Sequence, residues 1–136
     1  MPSSGKFLVL LAGDGRYALP LEQVSEIIEP QAASPVPRAP AWCAGVIFAQ
    51  VGVVAVMDLA KYMGDEQQHS LEKLIVLDCR GAGLALQAER LEGIVSLDQA
   101  ELVKNADGEY LLLLDEKVPV LDAAMLIDEA SAAMSV

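Results

Sequence analysis

Residues that could carry catalysis are few in this chain and stand apart from one another. His69 is the single histidine, and its neighbours Gln67, Gln68 and Ser70 place it in a polar segment without an apolar wall. A metal site needs several ligands and a general base needs a positioned partner, and neither accompanies His69. The sequence therefore predicts a solvated loop histidine rather than a catalytic or metal-binding one.

The two cysteines, Cys43 and Cys79, are too far apart in the sequence to form a Cys-x-x-Cys pair. A cysteine nucleophile needs a neighbouring base and an electropositive environment that lowers its pKa. Cys43 instead follows Trp42 and precedes Ala44 and Gly45, which is an apolar context. We therefore expect two buried, reduced thiols, with neither a disulfide nor a metal site.

Glycine-rich and paired acidic segments also lack the surroundings that chemistry requires. A phosphate loop lies between a strand and a helix, whereas the glycines at residues 13–15 and 80–83 each lie between two strand-like segments. The acidic pairs at residues 65–66 and 115–116 lie in polar turns, where nothing would raise a carboxyl pKa. The sequence predicts hairpin turns, solvated acids, no enzymatic activity and no cofactor.

The composition indicates a globular binding module with an acidic second half. Hydrophobic residues make up 54% of the 136 and aromatic residues only 4%, so the core must be aliphatic. The formal net charge is −11, and residues 65–136 hold fifteen acids against five bases. The negative charge can serve solubility alone. It can also steer a binding partner electrostatically toward the second half of the chain. Nucleic acid and anionic membranes are excluded as partners, because binding them needs clustered Lys and Arg.

No apolar stretch approaches the roughly 20 residues that span a bilayer. The first residues also lack the features of a signal peptide. We therefore expect a cytoplasmic protein without direct membrane insertion.

Short strands predominate in the predicted secondary structure. The predicted strands cover residues 6–12, 16–19, 25–29, 44–49, 52–57, 72–79, 84–88, 90–97, 101–104, 110–114 and 116–121. Short helical segments are predicted at residues 21–24, 58–63 and 122–129, the second with Asp58 as its N-cap. Residues 30–40 hold four of the seven prolines, which predicts an ordered, extended loop.

The second half of the chain repeats the pattern of the first half. Residues 7–28 align with residues 74–95 without a gap, and a later match pairs residues 54–58 with residues 118–122. Residues 54–58 and 118–122 each form an apolar predicted strand that ends in Asp and precedes a helical turn. The pattern predicts two similar β units within one domain spanning residues 1–136.

We place these units at residues 6–64 and 71–128, followed by a flexible tail at 129–136. Each unit is too small to bury much apolar surface alone, so the two should pack on each other. Closed barrels would also remove exposed sheet edges.

The segment VSEII at residues 24–28 carries the clearest sign of a binding surface. In an extended chain, Val24, Glu26 and Ile28 share one face, so that two large aliphatic side chains flank one carboxylate. This arrangement fits a partly exposed strand edge. It equally fits a partner surface that combines apolar contact with one orienting charge.

The order of these features resembles the CheW-like domain family. The segments that carry the resemblance are FLVL at residues 7–10, YALP at 17–20, VSEI at 24–27, PVPRAP at 35–40, GVI at 45–47, VMDL at 56–59 and LQAERLEGI at 86–94. The resemblance covers roughly residues 6–128, nearly the whole chain. The ordered set of segments carries it, since each segment alone is weak.

The resemblance implies a mainly β fold of two packed five-stranded SH3-like barrels with short helices. It also implies a non-catalytic adaptor that couples a CheA-type histidine kinase to the cytoplasmic tips of chemoreceptors, recruited to membrane-associated arrays. Receptors would bind in the groove between the barrels, and the kinase's related regulatory domain would bind end-on. Val24, Glu26 and Gly45 occupy the receptor-facing positions, and self-association is a further candidate interaction.

The chain departs from the family where members usually read Asn-Leu-Arg-Gly. The same positions here are Phe48, Ala49, Gln50 and Val51, so a guanidinium and a glycine are lost. Strand alternation puts Phe48 and Gln50 on one face, which would make the groove more apolar, unless Phe48 turns into the core.

This departure motivates an alternative function, in which a divergent adaptor of a type IV pilus or other non-flagellar system has lost ordinary receptor binding. With either function, the predicted protein-binding residues are Val24, Glu26, Ile28, Gly45, Phe48 and Gln50.

Overall fold

The computed structural model describes residues 5–65, 73–79 and 81–134. Its strands are β1 (Lys6–Ala12), β2 (Gly15–Pro20), β3 (Val24–Ile28), β4 (Cys43–Ala49), β5 (Gly52–Asp58), β6 (Lys73–Cys79), β7 (Ala82–Ala88), β8 (Arg90–Ser96), β9 (Glu101–Asn105), β10 (Gly108–Leu113) and β11 (Glu116–Pro119). A 3-10 turn, Leu21–Gln23, precedes β3, and the helices are α1 (Leu59–Tyr62) and α2 (Ala123–Met134). The mainly β prediction is confirmed, with strand ends shifted by at most two residues.

The strands form three hydrogen-bonded sheets. The largest has the order β3-β6-β7-β5-β4, and the two smaller ones have the orders β2-β1-β8 and β11-β10-β9. The smaller sheets meet where β11 runs beside β2, since the Leu121 N–H donates to the Ala18 carbonyl at 2.8 Å. The described strands therefore form one five-stranded sheet and a second unit of six strands, which consists of the two smaller sheets.

The sheets do not follow the two halves of the sequence. Strand β3 leaves its own half to pair with β6, and β8 from the second half pairs with β1. Each half also makes one parallel contact with the other half. Val56 of β5 pairs with Ala85 of β7, and at the equivalent repeat positions Val120 pairs with Ala18 of β2. The repeat predicted from the sequence is thus visible as matching contacts. The spans 6–64 and 71–128, however, each contribute strands to both layers.

The five-stranded sheet is curled rather than closed into a barrel. Ile28 of β3 and Ile47 of β4, which belong to opposite edge strands, pack on one cluster of buried side chains inside the sheet. This cluster, the inner core, contains Ile47, Val54, Val56, Leu74, Val76 and Ala85. In the described residues no strand ladder joins β3 to β4, so the predicted closed barrel is not formed. Contacts of the connecting segments bring the two edges together instead.

A second cluster, the shared core, lies between the sheets and beneath α2. Strand β6 contributes to both clusters, since Ile75 and Leu77 face the shared core while Leu74 and Val76 face the inner core. A strand buried on both faces must be continuously apolar, which explains the run LIVL at residues 74–77.

Both helices begin at an Asp in equivalent repeat positions. The Lys61 N–H donates to Asp58 Oδ1 at 3.2 Å, which confirms the predicted N-cap, and the Ala124 N–H donates to Asp122 Oδ1 at 3.0 Å. Helix α2 continues five residues past its predicted end at residue 129, because Ala130 packs into the shared core. Most of the segment assigned to a tail is therefore helical.

The proline-rich loop is fixed to β4 by two backbone hydrogen bonds. Ser34 and Val46 exchange N–H···O contacts, both at 2.9 Å. The neighbouring Gly45 has φ +136°, and a Cβ there would lie 2.3 Å from the Ser34 carbonyl oxygen. Only glycine satisfies both constraints, so Gly45 permits the loop to lie against β4.

We expect Gly45→Ala to destabilise the fold much more than Gly93→Ala. Gly93 has a similar φ of +141°, but a Cβ there would meet nothing within 4 Å, so it is a matched control. Both variants incur a backbone penalty of about 1–3 kcal/mol. Gly45→Ala must also displace the Ser34 carbonyl, which should cost about 1–3 kcal/mol more. Urea unfolding measures the difference, and equal losses would show that the loop contact is unimportant.

The exchange of strands makes a second prediction about the two halves of the chain. Fragments 1–65 and 66–136 should each be unfolded alone, because β3 pairs with β6, β5 pairs with β7 and β1 pairs with β8. A mixture of the two should regain the β-sheet circular dichroism of the intact protein. If fragment 1–65 folds cooperatively without the other fragment, the exchanged pairing is wrong.

Candidate protein-binding surface

All six residues predicted to bind a partner lie on the five-stranded sheet. They are carried by β3, β4 and the turn between β4 and β5. Glu26 joins these elements, because its Oε2 accepts a hydrogen bond from the Gln50 backbone N–H at 3.0 Å. The Glu26 side chain is half-buried, so it is a link between the edge strand and the turn as well as a surface charge.

The prediction that Val24, Glu26 and Ile28 share one face is wrong for Val24. The pairing of β3 with β6 shifts by one residue after Val24, which pairs with Leu77 while Glu26 pairs with Val76. A one-residue shift sends the following side chains to the opposite face. Val24 therefore packs on the shared core, whereas Ile28 packs on the inner core.

Gly45 is buried rather than presented to a partner. Its place beneath Ser34 gives it a structural role, which is to fix the proline-rich loop along the edge of β4. Substitutions at Gly45 would therefore alter a binding surface through the loop that covers this glycine.

Phe48 is 83% exposed, and Val53, which is directly opposite on β5, is 59% exposed. The alternative that Phe48 fills the core is therefore wrong. The inward-facing partners are Ala49 and Val51, both packed on the inner core as the strand alternation predicts. Val53 was not among the predicted binding residues, although a two-residue turn at 50–51 places residue 53 opposite residue 48.

The apolar pair Phe48–Val53 lies on the face of the five-stranded sheet that packs on the shared core. On β5, Val53, Ala55 and Met57 alternate along one face, and Ala55 and Met57 pack on the shared core. The exposed pair therefore continues the apolar face of the sheet beyond the point where the second sheet covers it. Ile27 of β3 lies on the same face, because it pairs with the shared-core residue Ile75, and it is also exposed.

The turn between β4 and β5 is free of the backbone strain that the sequence suggested. Val51 stands where the family carries glycine, but the positive φ of this turn falls on Gly52, at +121°, so Val51 can adopt an ordinary backbone conformation. Gln50 is exposed and presents a neutral amide next to Phe48. The turn thus offers an apolar ring and a neutral polar group, without the charge of an arginine.

The residues considered for chemistry remain dispersed. Cys43 and Cys79 are free and half-buried, which differs from the full burial expected. His69 lies outside the described residues. Within the described parts of the chain, no group of three or more His, Cys, Asp or Glu is placed to hold a metal ion. No helix among the described residues is long and apolar enough to cross a membrane.

Comparison with known proteins agrees with this architecture. A family model described as CheW-like domain matches residues 6–131. The crystal structure of the scaffolding protein TtCheW from Thermoanaerobacter tengcongensis is similar with a TM-score of 0.64 at 17% identity, over 82% of this chain and 84% of that chain. At this identity the likeness establishes the fold, and comparison with curated proteins gives no match. Because the family match spans nearly the whole sequence, the chain belongs to the CheW-like domain family.

Proposed function

We propose that this protein is a non-catalytic adaptor that couples a CheA-type histidine kinase to the cytoplasmic tips of chemoreceptors. Its family and the scaffolding role of a structural relative support a chemosensory adaptor. The adaptor acts in the cytoplasm and is recruited to membrane-associated receptor arrays. Its contribution is positional, since it holds kinase and receptor at a fixed distance and orientation.

The observation that carries this proposal is the exposed apolar pair Phe48–Val53 on the five-stranded sheet. Burying such side chains against a partner contributes about 25 cal/mol per Å² before the costs of association. The link between Glu26 and Gln50 keeps the underlying turn in place, so little ordering is required on binding. A preformed, exposed apolar surface is well suited to the apolar face of a helical receptor tip.

A second candidate function follows from Gln50. A receptor that presents a carboxylate to the usual arginine would leave that charge without a counterion here, which is costly once the interface is desolvated. Gln50 beside the exposed Phe48 therefore favours a divergent adaptor that retains kinase or self-association contacts. Such an adaptor belongs to a type IV pilus or other non-flagellar system and has lost ordinary receptor binding.

Co-purification separates the two candidates. The tagged protein is purified from its own organism, and the kinase and receptor subunits that accompany it are identified by mass spectrometry. Recovery of both supports the coupling adaptor, and recovery of the kinase without receptors supports the divergent one. Recovery of neither kinase nor receptor from a folded, tagged protein contradicts both.

Under the second candidate function, the double substitution Phe48→Asn with Gln50→Arg should improve binding to an ordinary receptor tip. The change restores a guanidinium and removes an exposed ring, and it should alter the free energy of unfolding by less than about 1 kcal/mol because both side chains are exposed. Isothermal titration calorimetry measures the affinity, with Met125→Ala, at an exposed position on α2, as a control. Unchanged or weaker binding would show that the lost arginine does not determine receptor choice.

Glu26→Lys should weaken partner binding more than Glu26→Gln does. Gln retains an acceptor for the Gln50 N–H and removes only the charge, whereas Lys removes the acceptor and reverses the charge. Loss of this hydrogen bond should cost only about 1 kcal/mol of stability. If Glu26→Lys lowers thermal stability sharply while binding per folded molecule stays constant, Glu26 has a structural role alone.

A further inference from the structure

The turn between β10 and β11 carries an unusual residue. Leu113 pairs with Glu116, which leaves Leu114 and Asp115 as a two-residue hairpin turn. Both have positive φ, at 50° and 66°, as a type I′ turn requires. Leu114 is also 95% exposed, more than any other large hydrophobic side chain in the described residues.

Neither the backbone nor the packing of this protein accounts for a leucine at that position. A left-handed backbone disfavours residues with a Cβ, and only Asn, Asp and Gly adopt it readily in such turns. Asp115 fits that preference and Leu114 does not. The Leu114 side chain gains no free energy from burial, since it projects into solvent. A leucine at residue 114 is therefore unfavourable in the isolated protein, both for its backbone conformation and for the exposure of its side chain.

The equivalent turn of the first repeat shows that an apolar residue is not required there. The match of residues 54–58 with residues 118–122 places Gln50 at the position of Leu114. Gln50 is polar and its backbone N–H is held by Glu26. The repeat thus tolerates a polar residue at this corner, and the leucine is specific to the second turn.

Leu114 borders an open cleft with an apolar wall and a charged side. The cleft has a volume of about 410 Å³, and its apolar lining comes from Val9, Ile94, Val95, Leu113 and Leu114. Ile94 is itself exposed. On the charged side, Arg16 forms ion pairs with Glu92 and Glu116, and it holds the pKa of the Glu92 carboxyl below its ordinary value. Among the residues that line the cleft, one arginine thus faces two glutamates.

The charge around the β10–β11 turn indicates what kind of partner surface fits there. Residues 90–119, which form β8 to β11 and their turns, hold seven acids against three bases. A second copy that presented the same face would bring like charges together, which disfavours a symmetric dimer. An apolar pocket whose rim carries Lys or Arg would instead satisfy both the leucine and the acidic surroundings.

We propose that the β10–β11 turn is a docking element in which Leu114 inserts into an apolar, basic-rimmed pocket of the kinase partner. The assignment of the kinase as that partner rests on the proposed function. Leu114 is the anchor, because it is fully available for burial and sits on a two-residue turn with little freedom to reorder. Asp115 and Glu116 orient the approach, so binding should weaken as salt is raised.

The test is Leu114→Gly, in which binding and stability are expected to move in opposite directions. Glycine relieves the positive φ, so the midpoint of thermal unfolding should stay within about 2 °C or rise. Removal of the anchor should weaken binding to the full-length CheA-type kinase of the same organism by about 10- to 100-fold. Leu114→Asn tests the same loss with a side chain that tolerates this backbone.

Met125→Ala is the matched control, because Met125 is a 52% exposed apolar residue on α2 that does not line the cleft. Kinase affinity within twofold of the wild type for both Leu114 variants overturns the docking element while leaving the adaptor function intact. A fall of more than about 5 °C in both variants would assign Leu114 a structural role instead. A wild-type protein that does not bind the kinase overturns the proposed function, and the docking assignment with it. Loss of self-association alone, measured by sedimentation, would identify a second copy as the occupant and overturn the kinase assignment.

Discussion

Burial of the β6–β7 hairpin on both faces is the constraint on which the rest of the structure depends. Leu74 and Val76 face the inner core, and Ile75 and Leu77 face the shared core, so β6 has no solvent face. A repeat of this size cannot cover two faces of its own hairpin. Strand β1 and helix α2 cover one face through the shared core, and β4 and β5 cover the other through the inner core. The exchange of β3 and β8 between repeats completes the sheets that hold these faces together. Two marginal units become one cooperative domain because each completes the other's sheet.

This constraint also produces the candidate binding surface. Once β3 and β4 become the two edges of the curled sheet, their backbone groups require partners from connecting segments. Ser34 supplies two backbone hydrogen bonds to β4, and Glu26 supplies one to the β4–β5 turn. Pro35 follows Ser34 directly and has no N–H to donate, and the contact with β4 is a single bridge. The turn that bears Phe48 is thereby fixed in position without being covered.

The sequence predicted the strands and the repeat well, because both depend on local pattern. It did not predict the exchange of strands. Val9 and Leu10 align with Val76 and Leu77, so β3 would find the same apolar partners in β1 as in β6, and the pattern cannot choose between them. The bulge after Val24 was missed for a related reason, since the alternation of VSEII is unbroken. The orientation of Phe48 remained open because alternation defines two faces without saying which one meets solvent.

Because the two repeats of the fold are similar, the equivalent positions at which they differ are informative. Symmetric positions share the Asp caps and the parallel contacts, which are requirements of folding. The corner positions Gln50 and Leu114 differ in polarity, and nothing in the packing of either turn requires that difference. An adaptor built from two alike repeats would present two alike ends and could not distinguish its partners. One neutral turn beside an exposed ring and one acidic turn with an exposed leucine give the two ends different chemistry, and therefore give the adaptor a direction.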